Sequence, residues 1–153
     1  MKVFAENRRA LFDYEILEKF EAGIALIGQE VKSIRLGRMN LRGSYVVLKQ
    51  SAKGKTPEVF LIGATIPPYQ PKNAPSNYDP QRSRKLLITK SEINHLIGKS
   101  RQKGLTMIPL KVYTKKDKIK VDFVTVRGRK KIDKREAIKK REVEREIKRT
   151  FNQ

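Results

Sequence analysis

Short runs of β-branched and aromatic residues recur along this chain, in FEAGIALI (20–27), SYVVLKQ (44–50), EVFLIGATI (58–66), KLLI (85–88), LTMIPLKVYT (105–114) and IKVDFVTV (119–126). A period of two places alternate side chains on opposite faces of a strand, so such runs are half-buried strands. Phe20, Ala22, Ile24 and Leu26 alternate with Glu21, Gly23, Ala25 and Ile27, and Ile119, Val121 and Phe123 alternate with Lys120 and Asp122. In 105–114 the register Thr106, Ile108, Leu110, Val112 is blurred by Leu105 and Met107. SAKGKTP and KKDK carry the chemistry of hairpin turns. The pattern predicts a mainly β domain of five or six short antiparallel strands. A closed barrel is favoured over a sandwich, because a sheet protein must manage its edges.

Two helices interrupt the strands. GQEVKSIRLG puts Val31, Ile34 and Leu36 between Gly28 and Gly37, and TKSEINHLIGKSRQKG opens on a Thr89–Glu92 capping box, gathers Ile93, Leu96 and Ile97 on one face and meets Gly104 past its end. Residues 67–80, PPYQPKNAPSNYDP, hold five prolines in fourteen and exclude helix and central strand. They form a long surface connector, a type of loop that is often functional.

The C-terminal stretch GRKKIDKREAIKKREVEREIKR (128–149) carries eleven basic and five acidic residues. Glu136 with Lys140 and Glu144 with Lys148 are helix-supporting pairs, each worth about 0.3 kcal/mol. Val143, Ile147 and Phe151, with Ile132 nearby, make a stripe too thin to bury, and Ile138 points away from it. The expectation is a barrel over 1–126 and a tail over 127–153 that is disordered when free and helical once a polyanion neutralises it.

Lys and Arg number 36 against 16 Asp and Glu, a net charge of +20. Solubility alone asks for roughly 2–8. From Arg127 onward twelve basic and five acidic residues supply +7, so the body holds +13. Both parts therefore suit a polyanion, and nucleic acid is favoured over a membrane because the tail lacks a broad apolar face. There is no cysteine and a single histidine, His95, which reads as a partly exposed structural residue of the capped helix, so no metal site is expected. MKVFAENRR lacks a signal-peptide core, and no run approaches the ~20 apolar residues of a membrane span. A soluble cytoplasmic protein is expected. No phosphate-cradling glycine motif or nucleophile–base pair is present, and Glu15, Glu18, Glu21 and Glu30 are scattered, so neither catalysis nor a cofactor is expected. The alternatives are a general ribosomal or RNA-chaperone protein, a DNA-compacting protein and a Mg²⁺-dependent nuclease.

The runs AENRRALFDYEILEKFEAGIALIGQEVKSIRLG, SRKLLITKSEINHLIG, KGLTMIPLKVY and RGRKKIDKREAIKKR, in this order over nearly the whole chain, resemble the bacterial SsrA-binding protein family (small protein B, SmpB). The resemblance implies an oligonucleotide-binding (OB) type antiparallel β-barrel with two to three flanking helices and a basic C-terminal tail. It implies a monomeric adaptor that binds the tRNA-like domain of transfer-messenger RNA and brings it to stalled ribosomes for trans-translation. The elongation GTPase and alanyl-tRNA synthetase would be indirect partners through the RNA. Asn7, Glu21 and Leu87 match family RNA contacts, and Lys32, Arg35, Arg82, Arg84 and Lys85 are the neighbouring candidates for phosphate. Without the family, Glu21 reads as an outward strand residue paired with a lysine and Leu87 as core. Gly128, Lys130, Lys131, Asp133, Lys134 and Arg135 match tail elements that act on the ribosome, and the basic run Lys139, Lys140 and Arg141 follows them. The tail would enter the vacant small-subunit decoding site and the mRNA channel and fold there. Phe12 stands where many members carry histidine near the decoding nucleotides; it can stack on a base but makes no hydrogen bond through its side chain.

Overall fold

The computed structural model describes residues 1–50, 54–102 and 104–128, and beyond them Arg141 and Arg145. In chain order the elements are β1 (Val3–Glu6), α1 (Ala10–Asp13), β2 (Tyr14–Ile24), α2 (Gly28–Arg35), β3 (Tyr45–Lys49), β4 (Glu58–Ile62), a 3₁₀ turn (Pro71–Asn73), β5 (Arg84–Leu87), α3 (Lys90–Ser100), β6 (Leu105–Lys115) and β7 (Lys118–Gly128). All strand pairs are antiparallel, in the order β6-β3-β4-β5-β2-β7, and β7 pairs back onto β6 to close the ring. The fold is the expected OB-type β-barrel with flanking helices. Closure leaves β1 as the added strand, on the part of β6 that β3 does not cover, since β3 meets β6 only at Val46↔Met107 and β1 pairs at 111–113.

Inside the ring the period-two residues do what their spacing predicts. Phe20, Ala22, Val46, Val59, Leu61, Leu86, Val112, Val121 and Phe123 form one apolar cluster, and Phe20 stacks on Phe123 with ring centroids 5.3 Å apart. Ile34 of α2 and Leu96 of α3 plug the same cluster. The α3 capping box forms as read: the Glu92 N–H donates to the Thr89 hydroxyl, and the Thr89 N–H and hydroxyl donate to the Glu92 carboxylate.

The structure corrects several boundaries. There are seven strands among the described residues rather than five or six, because β1 spans only four residues and carries no visible alternation. β2 begins at Tyr14, where a bulge between Ile16 and Glu18 breaks the alternation that would have revealed it. β7 continues to Gly128, opposite Tyr14, past the boundary expected at 126. Leu36 is 56% exposed, and α2 instead buries Glu30, Ser33 and Ile34. The β6–β7 turn holds Lys116 and Asp117 at φ 51° and 63°, the left-handed pair that a two-residue hairpin requires.

Candidate nucleic-acid interface

Because Phe20 and Ala22 of β2 point into the barrel, Glu21 and Gly23 point out. Gly23 pairs with Lys120 of β7 on one side and Leu87 of β5 on the other. Leu86 is buried, so Leu87 faces outward, and it is 53% exposed; the reading of Leu87 as core is thereby corrected. Gly23 makes room for it: a Cβ on Gly23 would stand 3.3 Å from the Leu87 Cβ. The result is a cleft of about 410 Å³ lined by Gly23, Leu87, Leu26, Arg35, Lys118 and Lys120, among others. Arg35 closes one wall, its guanidinium donating to the Asp117 carbonyl at 3.4 Å.

Beside the cleft, Glu21 is held rather than free. The Tyr113 hydroxyl lies between two carboxylates, Glu21 and, at 2.6 Å, Asp122, and shares its single proton between them. Lys115 donates to Glu21 at 3.2 Å, while Lys19 and Lys111 lie 3.2 and 3.8 Å from Asp122. The Tyr113 hydroxyl holds Glu21 below its ordinary carboxylate range, against the opposing effect of burial and with help from Lys115 and Lys120. Tyr113 is pushed upward by burial and by both carboxylates, so it stays a neutral donor. A fixed, ionised and still 37% exposed carboxylate results, an acceptor suited to a ribose hydroxyl or a base amino group.

One expected phosphate contact is overturned. Arg84 is wholly buried, because β5 alternation turns it inward with Leu86. It donates to Glu30 at 2.8 Å, to the Ala64 carbonyl at 2.7 Å and to the Pro80 carbonyl at 2.9 Å. Arg82 meets the other Glu30 oxygen at 2.5 Å, and the Ile27 N–H donates to Glu30 at 3.0 Å. Burial works to raise the Glu30 pKa, yet Arg82, Ile27 and Arg84 more than offset it and leave it lowered. Arg84 therefore serves as a structural tie between α2, β5 and the proline-rich connector. Lys85 does face outward, 3.7 Å from Glu58, and Lys32 is exposed on α2 with its ammonium 5.4 Å from the Tyr69 ring centroid. His95 is partly exposed on α3, as expected, and its Nε2 lies 2.8 Å from Glu18.

Asn7 lies away from the cleft. It is bonded along β6, its N–H donating to the Leu110 carbonyl at 2.7 Å and its side-chain amide to the Pro109 carbonyl at 3.2 Å. Phe12 on α1 is covered by Arg141, whose guanidinium carbon is 4.1 Å from the ring centroid. Glu21, Leu87, Arg35 and Lys32 are thus gathered along one side, with Asn7 and Phe12 outside that group.

The family model described as SmpB protein matches residues 4–153. The chain belongs to the SmpB family. It is 46% identical to the SsrA-binding protein of Thermosynechococcus vestitus over the whole of this chain and 97% of that one. It is 50% identical to the SsrA-binding protein of Caldicellulosiruptor saccharolyticus over the whole of this chain and 92% of the relative. A chain from a solved structure described as "tmRNA-SmpB: a journey to the center of the bacterial ribosome" matches with a TM-score of 0.64 at 45% identity, covering 87% of this chain and 92% of that one.

Among the tail positions assigned by resemblance to the SmpB family, Gly128 closes β7 opposite Tyr14. Arg141 is helical and sits on Phe12. Lys130, Lys131, Asp133, Lys134, Arg135, Lys139 and Lys140 lie outside the described residues, as do Ile132, Ile138, Val143, Ile147 and Phe151. Sequence reading missed Tyr113 and Asp122 as the supports of Glu21. The signal was an aspartate between Val121 and Phe123, which either faces water or needs a buried donor. Glu30 was equally hidden, on the α2 face that its neighbours Val31 and Ile34 already marked as apolar.

Proposed function

We propose that this chain is an RNA-binding adaptor that binds the tRNA-like domain of transfer-messenger RNA and delivers it to stalled ribosomes for rescue by trans-translation. The observation that carries the reading is the outward face of β7, β2 and β5. There a fixed Glu21 and an exposed Leu87 adjoin a cleft walled by Arg35, Lys118 and Lys120, inside a chain of net charge +20. Lysines and arginines at such a site hold phosphate without reading sequence, whereas a fixed carboxylate and an apolar side chain select the shape and hydroxyl pattern laid against them. Lys32 and Lys85 extend the contact, Asn7 on the β6 side is a second point of contact away from the cleft, and Arg84 holds the fold without touching the RNA.

The tail, with Gly128, Lys130, Lys131, Asp133, Lys134, Arg135, Lys139, Lys140 and Arg141, acts on the ribosome in this reading. It occupies the vacant decoding site and the mRNA channel, with Phe12 alongside. The elongation GTPase and alanyl-tRNA synthetase act through the RNA, and this chain contributes no bond-making step and no cofactor. Its place is the cytoplasm, where ribosomes work; among the described residues no helix is long and apolar enough to cross a membrane.

The test is binding of the purified protein to the tRNA-like domain of transfer-messenger RNA and to an ordinary tRNA of similar length, across a range of salt. The expected result is a preference that survives salt and falls with Glu21→Ala or Asn7→Ala. Equal binding to both RNAs, weakening together with a slope of about 0.7–0.9 per phosphate contact, assigns the affinity to charge alone and overturns the reading in favour of a general RNA-binding protein.

A further inference from the structure

The proline-rich connector is fixed on the outside of α2 by side chains from both sides. Arg84 holds the Pro80 carbonyl at 2.9 Å, the Tyr78 hydroxyl donates to the Ile66 carbonyl at 2.7 Å, Gln29 donates to the Asn73 carbonyl at 3.4 Å, and Arg38 donates to the Tyr69 carbonyl at 3.1 Å. A loop tied this often is a rigid support, and its prolines reduce the conformational entropy lost on fixing it.

Tyr69 sits at the middle of these ties and does nothing that explains a tyrosine there. The other aromatic hydroxyls of the fold have structural tasks where they are buried: Tyr78 caps the Ile66 carbonyl and Tyr113 joins two carboxylates, while Tyr14 packs on the small apolar cluster. Tyr69 packs on neither apolar cluster, and its hydroxyl has no hydrogen-bond partner among the described residues. Its ring instead carries the Lys32 ammonium, 5.4 Å from the centroid. Lys32 and Arg38 are exposed beside it, Lys32 over the ring and Arg38 on the Tyr69 carbonyl, and the one carboxylate of α2, on Glu30, is wholly buried.

This cluster is continuous with the cleft. Arg35 follows Lys32 by three residues on the same helix, so the two are neighbours on its surface. Arg35 lines the cleft with Leu87 and Lys120. A track of cations therefore leads from the cleft to a half-buried aromatic ring. Phosphates follow cations, and an aromatic ring placed among them offers the one contact that a paired helix cannot use, a face on which an unpaired base stacks.

We propose that Tyr69 is a stacking platform for an unpaired nucleotide of the RNA bound in the cleft, with Lys32 and Arg38 on the flanking phosphates. This rests on the RNA-adaptor reading and extends its surface from the barrel wall to the connector. The alternative occupant, an acidic segment of protein, would use the cations and leave the ring idle.

The experiment compares the full chain with its Tyr69→Ala, Tyr69→Phe and Tyr69→Trp variants on two probes of equal phosphate number, the tRNA-like domain of transfer-messenger RNA and a fully paired RNA duplex. Tyr69→Ala is expected to weaken binding to the tRNA-like domain about tenfold, the loss of one base stack, and to leave duplex binding within twofold. Tyr69→Phe and Tyr69→Trp should bind like the parent, because the hydroxyl is unused and the ring is kept. Unchanged binding of Tyr69→Ala to the tRNA-like domain, an equal loss on both probes, or a Tyr69→Phe as damaged as Tyr69→Ala overturns the proposal. The readout is the ratio between unpaired and paired RNA. It is defined whether or not the protein prefers the tRNA-like domain over ordinary tRNA, so failure here and failure of the adaptor reading are told apart.

Discussion

Arg84 separates a structural from an RNA-binding role more sharply than any other residue of the chain. Arg84→Met keeps roughly the side-chain length but removes the donors to Glu30, Ala64 and Pro80. Glu30 stays wholly buried. Breaking one side of a buried ion pair costs about 3–5 kcal/mol. Arg82 remains 2.5 Å from the carboxylate, which places the expected loss at the lower end, about 3 kcal/mol. For a domain of this size each kcal/mol lowers Tm by roughly 2–4 °C, so thermal unfolding should move down by about 6–12 °C. The double variant Glu30→Leu with Arg84→Met removes the stranded charge, and it should unfold above Arg84→Met alone. At low temperature, where Arg84→Met is still folded, its affinity for RNA should stay within about twofold of the parent. Calorimetry and a binding titration on the same preparation decide the matter. An unchanged Tm with a markedly weaker complex would show that the guanidinium reaches RNA, and would refute the burial argument.

Three further outcomes follow from the same geometry. Tyr113→Phe removes the hydroxyl shared by Glu21 and Asp122, and urea unfolding should show a loss of about 1–3 kcal/mol; RNA affinity should fall as well although Tyr113 is itself buried, and an unaffected affinity would mean that Glu21 needs no fixing. Glu18, Glu21 and Glu30 all have folded pKa values lowered from the ordinary 4.5, so the stability they contribute is complete above that value and is lost as pH falls below it; a Tm that stays flat from pH 6 to pH 3 would contradict this. Phe12→Ala and Arg141→Ala should each remove one guanidinium–ring contact, and a double-mutant cycle of unfolding should return a coupling of about 0.5–1 kcal/mol, with zero coupling ruling out a tail held on α1 in the free protein.

The barrel was legible wherever a strand has one wet and one dry face. Phe20 with Ala22 and Val121 with Phe123 appear in the core as their alternation requires, and the Thr89–Glu92 box announced α3 to the residue. Legibility failed where both faces of a strand are covered. From Val121 to Val126 all six β7 residues are buried, so the Asp122 that looked solvent-facing lies under Tyr113 and Lys111. It failed for Arg84 for a related reason. A cation beside a matched leucine looks like a phosphate contact, but period two sends Leu87 outward and Arg84 inward, and only the distant Glu30 makes an inward arginine tolerable. Pairings across 54 residues, or between Tyr113 and Glu21 across 92, leave no local trace.

The placement of the acids gives the formal charge a structure that a sum cannot express. Glu30 is consumed by two arginines, Asp122 by Lys19, Lys111 and Tyr113, and Glu18 by His95 and Lys99. Glu30 and Asp122 are buried acids that neutralise cations, whereas Glu18 makes its contacts at the surface. Glu21 differs from the two buried acids, Glu30 and Asp122, because its supports fix it without covering it, and it differs from Glu18 in standing beside the cleft. In the proposed reading a phosphate backbone is drawn to Arg35, Lys118 and Lys120 around the cleft, where Asp117 also stands, and is repelled at the anchored Glu21 beside it. In the proposed RNA-adaptor reading, affinity and register therefore come from different residues: the cations would set how tightly RNA is held, and the carboxylate would set a line along which its phosphates do not lie. Salt screens the exposed cations first, while discrimination by a hydrogen-bonded carboxylate at contact distance persists, so the preference between two RNAs should outlast the affinity for either.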